Sequence, residues 1–234
     1  MATKKKTASS GGGTRTKRSF IRWIDRRLAK EHGEKGPPEE RTDPLDELIL
    51  TVLSQNTNDV NRDRAYEKMR KRFPKWKDVM EADVKELEES IRVGGLAGQK
   101  SERIKKMLAD IVEKEGKLSL DSVCDLSVEE GLEYLKSFKG VGDKTAAIVM
   151  LFSCGKPVFP VDTHIHRLSK RLGLVPEKAD AEKAHKILGK EVPEDIMYGF
   201  HINLIEHGRK ICKARKPDCP SCTLNNKCPS AFKV

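Results

Sequence analysis

Cys212, Cys219, Cys222 and Cys228 fall within seventeen residues, in RKICKARKPDCPSCTLNNKCPS, with the spacing C-x6-C-x2-C-x5-C. No regular helix can gather four sulfurs so spaced, and the residues between them are too polar to be held by a hydrophobic core. Something must tie the segment down. The N-terminus carries no secretory signal, so a disulfide framework is disfavoured and a metal site is the default. Four soft thiolates suit tetrahedral zinc and an iron–sulfur cluster equally well on ligand chemistry. All four ligands come from protein, the mark of a structural centre. Lys210, Lys213, Arg215, Lys216 and Lys227 surround the loop. They either balance a negatively charged thiolate centre or make the loop a basic protrusion that meets phosphate. Cys124 and Cys154 stand apart from the four. Cys154 lies in the apolar run VMLFSCG, where a free buried thiol is expected.

The rest of the chain reads as helix almost throughout. TDPLDELILTVLSQ opens with a capping residue and a proline in the first turn, followed by apolar residues at helical spacing. NDVNRDRAYEKMRKRF, DVKELEESIR and QKSERIKKMLADIVEKE carry apolar residues three and four apart among charges. SVEEGLEYLKSF begins with the serine and glutamate of a capping box. DTHIHRLSKRLG, ADAEKAHKILGKEV and EDIMYGFHINLIEHGRKIC follow, with short glycine- or proline-bearing spacers between helices. There is no alternating strand pattern and no solenoid repeat. An all-α fold is expected. The 234 residues suffice for one domain or two modest ones, and no apolar run is long enough to span a membrane. The formal charge of +10 points to a polyanionic partner. Residues 1–19, however, hold six cations and no acid, leaving +4 for the body, and read as a disordered basic tail.

KGVGDKTAAIV, Lys139 to Val149, contains a lysine–threonine pair after glycines but is not a nucleotide-binding loop. Asp143 separates Gly142 from Lys144, and LEYLKSF before it reads as helix rather than strand. A helix–hairpin–helix turn fits better, with Gly140 and Gly142 adopting backbone conformations closed to other residues. Their amides and the first turn of the next helix could receive a phosphate. Lys144 in that first turn is disfavoured as an ammonium by the helix dipole. Partial burial among Val141, Ala147 and Ile148 would add to the effect. Both would free the amine for Schiff-base chemistry. Asp162, in FPVDTHIHRLSKRLG, is a helix N-cap or a carboxylate aimed at positive charge developing on a sugar ring. His164 and His166 are two apart and diverge on a helix, a poor metal pair.

Together, LILTVLSQNTNDVN, GLAGQK, KGVGDKTAAIV with PVDTHIHR, and the four-cysteine loop resemble the endonuclease III branch of the helix-hairpin-helix DNA glycosylases. The resemblance runs from about Pro44 to Cys228. It implies two all-helical domains with a DNA groove between them. One, over 37–156, is a six-helix barrel carrying the hairpin. The other joins 20–36 to 157–234 and holds the metal, a [4Fe–4S] cluster rather than zinc, on Cys212, Cys219, Cys222 and Cys228. It implies Lys144 as the nucleophile on C1′ of a flipped-out nucleotide, with β-elimination following, and Asp162 as the catalytic carboxylate. DNA contacts are implied for Gly140, Val141, Gly142, Thr145 and His164, and for Lys213, Arg215 and Lys216 of the basic loop. Leu96 matches the wedge that enters the base stack. Asn56, with Gln55 beside it, falls where the family pattern has a space-filling glutamine. Ala97-Gly98 and Phe138-Lys139 depart from the pattern, which leaves lesion preference open.

The implied activity is a DNA glycosylase with AP lyase activity on oxidised pyrimidines and abasic sites in double-stranded DNA. The chain would act as a monomer, away from membranes, in an intracellular compartment that contains DNA. The competing readings are a monofunctional or mismatch-specific glycosylase of the same fold and a non-catalytic module that recognises distorted duplex. Mismatch-type members typically lack the lysine, and Lys144 with Asp162 argues against a silent module.

Overall fold

The computed structural model describes residues 16–234, so the expected basic tail falls largely outside the described residues. It ends earlier than residue 19. The Thr16 side chain accepts a hydrogen bond from the Ser19 amide and starts α1, Lys17–His32. Arg18 donates to the Lys190 carbonyl at 2.8 Å, which holds that first turn against the body. The described residues are all helical, as the periodicity predicted.

After α1 come α2 (Pro44–Ser54), α3 (Asp59–Arg72), α4 (Trp76–Glu81) and α5 (Val84–Ile91). α6 (Ala97–Glu115), α7 (Val128–Lys136) and α8 (Asp143–Phe152) follow, then α9 (Thr163–Arg171), α10 (Ala181–Glu191) and α11 (Met197–Lys210). Local chemistry sets the starts. Asp43 accepts from the amides of Leu45 and Asp46 with Pro44 in the first turn. Ser127 and Glu130 cap α7 reciprocally.

Two cores organise the helices. The first joins residues from Leu45 to Val158 on α2–α8; Leu48, Ile49, Val52 and Leu53 of α2 are all 0% exposed. Each such side chain contributes about 1.5–3 kcal/mol by leaving water. The second joins Ile21, Ile24 and Leu28 of α1 to Ile165, Leu168, Phe200 and Leu204 and runs on to Leu224. The chain therefore returns its first helix to pack on its last. α8 belongs to both, with Ala146, Ala147, Val149 and Met150 in the first core and Leu151 in the second. Its N-terminus is thus fixed where the two cores meet.

One expectation about the cores is overturned. Cys124 and Cys154 are not free thiols but form a disulfide, with Cα atoms 4.8 Å apart and a sequence separation of 30. The short 3-10 turn Asp121–Asp125 and the end of α8 come together through the packing of α7 and α2 on both. An apolar sequence context says a cysteine is buried, not what lies opposite it.

Candidate active site and thiol cluster

The hairpin between α7 and α8 needs one unusual backbone residue, not two. Gly140 has φ +90°, and a Cβ there would come within 2.9 Å of the Arg103 Nε. Gly142 has φ −105° and ψ −179°, extended backbone open to any residue, so the expectation of a second forbidden conformation is corrected. Gly142 is the N-cap of α8 and contributes no side chain to cap it. Lys144 follows in the first turn. It is exposed, so the partial burial expected of it is absent. Val141 and Ala147 pack inward instead, leaving the amine in solvent at the edge of a cleft. Asp162 caps α9, accepting from the Ile165 amide at 2.7 Å, and it lines the same cleft. The cap and the cleft position belong to one residue.

The cleft has a volume of about 1200 Å³ and is walled by α2, the start of α3, α8, α9 and α11. Gln55, Asn56, His164 and His166 line it with Lys144 and Asp162. Arg209 of α11 donates to Asp59 of α3 and so joins the two walls. The two histidines diverge. His166 bonds the Ala179 carbonyl at 2.8 Å, while His164 Nδ1 meets Arg167 Nη2 at 3.1 Å. Burial holds His164 below the usual histidine range. His201, which the sequence reading missed, is 3% exposed in the wall. Burial lowers it to about 4, the Lys144 charge acts in the same direction, and Asp162 opposes them. Its Nδ1 lies 3.1 Å from the Pro160 carbonyl and its ring packs against Phe152 and Phe159. At neutral pH it is an uncharged imidazole beside the amine and the carboxylate. A lone histidine in FHINLIEHG carries no sequence signal of this.

Two turns carry left-handed residues, and one of them, at Asn56, lines the cleft. Asn56 has φ +54°, a left-handed value that asparagine adopts readily, and Leu96 has φ +49°, one rare for leucine; both side chains are exposed. Leu96 is the residue expected to enter the base stack and Asn56 the one expected to fill the vacated space, and a left-handed leucine is strain of the kind that clusters at functional positions. Buried Lys100 holds the two turns in register, donating to the Leu53 and Gly94 carbonyls at 2.8 Å each. Arg103 donates to Gln55 Oε1 at 2.5 Å and also covers Gly140. Lys100 belongs to GLAGQK, yet that stretch alone carries no sign of its inward direction. Val141 and Thr145 are 7% and 6% exposed, so only their main chain could reach a ligand.

The four clustered cysteines are free and half-buried, and all four line one small pocket. Arg171 Nη1 lies 3.3 Å from Cys212 Sγ, and the same guanidinium donates to the Lys213 and Ala214 carbonyls. His207 Nε2 lies 3.4 Å from Cys222 Sγ. Burial, with the neighbouring sulfurs adding, pushes the Cys222 thiol up to about 11. Four thiols gathered this way, with N–H donors aimed at two of them, fit a polynuclear or tetrahedral thiolate centre that would displace their protons. Lys213, Arg215 and Lys216 are exposed on the loop, whereas Lys227 lies over the Trp23 ring at 4.7 Å and Lys210 pairs with Glu206.

Residues 49–194 match the model of the HhH-GPD superfamily of base excision DNA repair proteins. The chain belongs to that family. An endonuclease III of Thermotoga maritima is 37% identical over 209 residues, covering 89% of this chain and 90% of that protein. A protein of Arabidopsis thaliana named "Putative DNA glycosylase" is 42% identical over 168 residues; the match spans 72% of this chain but 57% of that longer protein. A non-covalent endonuclease III–DNA complex superposes with a TM-score of 0.80 at 30% identity, covering 92% of this chain and 97% of that one. A trapped covalent endonuclease III–DNA intermediate gives 0.79 at the same identity and coverage.

Proposed function

We propose that this chain is a base-excision DNA glycosylase with AP lyase activity, acting on oxidised pyrimidines and abasic sites in duplex DNA. The observation that carries the reading is Lys144 and Asp162 on the wall of one cleft, each at the start of its helix. The cleft exceeds the roughly 300–1,000 Å³ of an ordinary small-molecule pocket and leaves room for an everted nucleotide with its backbone.

In this reading the Lys144 amine attacks C1′ as the glycosidic C–N bond breaks, and the base leaves with the bonding electrons and takes up a proton. Asp162 stabilises positive charge on the sugar and accepts a proton from the attacking amine. The nitrogen lone pair then forms the C=N bond of the Schiff base as the C1′–O4′ bond breaks, and O4′ takes up the proton that Asp162 had accepted. Removal of a C2′ proton then expels the 3′ phosphate and cuts the strand. Neutral His201 adds no competing positive charge beside the amine. The entering nucleotide supplies the desolvation that Lys144 lacks in the free protein. Leu96 and Asn56 fill the space the nucleotide vacates, and the amides around Gly140 and Gly142 hold a backbone phosphate. The two cores act as two domains with the duplex between them.

Cys212, Cys219, Cys222 and Cys228 would hold a [4Fe–4S] cluster, which supplies a structural cross-link and leaves Lys213, Arg215 and Lys216 on a fixed basic loop. Iron analysis of the purified protein tests this: about four iron atoms per chain are expected, and zinc in their place overturns it. The chemistry is tested by borohydride trapping on a duplex containing an abasic site. A covalent adduct that Lys144→Gln abolishes is expected. No adduct in the wild type overturns the reading.

A further inference from the structure

Glu31 and His32 close α1, and His207 lies in the last turn of α11, on which α1 packs. None of the three has a part in the chemistry above. His32 Nε2 and His207 Nδ1 face each other at 3.3 Å. One Glu31 oxygen lies 3.5 Å from His207 Nδ1, and the other lies 3.9 Å from His32 Nε2. Ligand atoms at the corners of a tetrahedron, each about 2.0–2.2 Å from its centre, stand about 3.3–3.6 Å apart. The three groups therefore hold nearly that spacing already. The histidine side chains are sealed from water, 4% and 1% exposed, and Glu31 forms the outer side of the group.

The second nitrogen of each ring faces an acceptor. His207 Nε2 lies 3.4 Å from Cys222 Sγ, and His32 Nδ1 lies 3.7 Å from a Glu206 oxygen. A sulfur that binds metal as a thiolate only accepts, whichever metal the four cysteines hold. A neutral imidazole carries one N–H. If both rings turn it outward, two lone pairs meet at 3.3 Å with nothing to hold them. If either ring turns it inward for a His–His hydrogen bond, that ring presents a lone pair to its outer acceptor. A Lewis acid between the inner nitrogens removes the conflict, because both N–H groups then point outward, as those of metal-bound histidines do. Asn203, one turn before His207 on α11, adds an independent sign. Its Nδ2 donates to the Gly33 carbonyl next to His32, while its Oδ1 is buried with no hydrogen-bond partner among the described residues. An acceptor is thus left over within a turn of His207, as a metal-bound water needs.

We propose that Glu31, His32 and His207 form a zinc site, separate from the four cysteines. Two imidazoles and a carboxylate suit zinc, whereas magnesium and calcium take oxygen ligands. The ion pins the end of α1 to α11. Through the His207 Nε2–H it also fixes the orientation of Cys222 Sγ, so the first helix of the chain and the cysteine loop share one anchor.

The test uses untagged full-length protein, incubated with zinc chloride and freed of excess by gel filtration. Elemental analysis should give about one zinc atom per chain beside the iron of the cysteine loop. Zinc-edge X-ray absorption should show nitrogen and oxygen neighbours at about 2.0–2.2 Å and no sulfur at about 2.3 Å. His32→Ala should lose the zinc and keep the iron. Glu31→Gln, which keeps the side-chain shape, should weaken zinc retention by at least about 10–100-fold, the range that losing even a hydrogen-bond partner of a ligand costs. Zinc should raise the thermal midpoint of the wild type and leave that of His32→Ala unchanged. No zinc in the incubated wild type overturns the proposal and leaves a proton between the two rings. Zinc with sulfur neighbours overturns it as well, and so does zinc retained in full by both variants. Zinc on nitrogen and oxygen in a protein without iron would remove the cluster reading and leave this site standing.

Discussion

Lys144 in the first turn of α8 and Asp162 at the cap of α9 line one cleft where two separate hydrophobic cores meet. The amine is in solvent and the carboxylate is already held by the Ile165 amide. One group is free to move onto a substrate and the other is fixed in place. That division allows structural and chemical roles to be separated by substitution.

Asp162→Asn keeps a side-chain acceptor for the Ile165 amide and should fold with wild-type stability. Asp162→Ala should lose about 1 kcal/mol with the cap. Both should lower excision by roughly 10²–10³-fold, since neither can answer charge developing on the sugar. Denaturant unfolding measured alongside single-turnover rates distinguishes the two effects.

Leu96 is expected to show opposite signs for stability and function. A left-handed leucine costs roughly 1–2 kcal/mol, and glycine's added chain entropy returns about 0.5–1 of that. Leu96→Gly should therefore be more stable by about 0.5–1 kcal/mol while losing affinity for lesion-containing duplex. Thermal unfolding and a fluorescence-anisotropy titration check the pair.

Removing the Lys100 ammonium leaves the Leu53 and Gly94 carbonyls buried without partners. Lys100→Met should cost about 2–4 kcal/mol. The loss should appear locally as faster amide exchange around Asn56 and Leu96, while the α9–α11 core keeps its protection.

The Cys124–Cys154 bond closes a loop of about thirty residues, for which chain entropy gives roughly 3–4 kcal/mol. Reductant should lower the denaturant midpoint of the wild type. Cys154→Ser should start at the lower midpoint and not respond.

His201 gives a pH signature. Its folded value of about 4 lies below the ordinary 6.5, so the unfolded chain binds more protons between these values. Stability is fully present above about pH 6.5 and is lost as pH falls toward 4, by an amount on the order of 3 kcal/mol. Asp162, Lys144 and His185 are the charged or titratable groups acting on the ring. His201→Phe should be uniformly less stable through the lost Pro160 contact, yet show a shallower slope over this window. Unfolding free energy measured at intervals from pH 4 to 7 compares the slopes.

The helix starts were legible because capping is local. Asp43-Pro44 and the Ser127…Glu130 box act within a few residues of themselves. α1 and α4 escaped the sequence reading. α1 is held largely by packing on α11, and the six residues of α4 are too few to show a period. The special φ of Gly140 could be anticipated from a tight hairpin, whereas that of Leu96 could not, since leucine has no preference for it.

From the sequence alone came the all-helical class, the four-thiolate loop, and Lys144 and Asp162 as residues standing at helix starts. These rest on spacing and on chemistry within one or two turns. Only the tertiary structure decided that Lys144 is exposed, that Cys124 pairs with Cys154, and that His201 shares the cleft with the amine. Each of those depends on which segments pack face to face, and burial, proton affinity and pairing are properties of that packing rather than of the residues nearby in the chain.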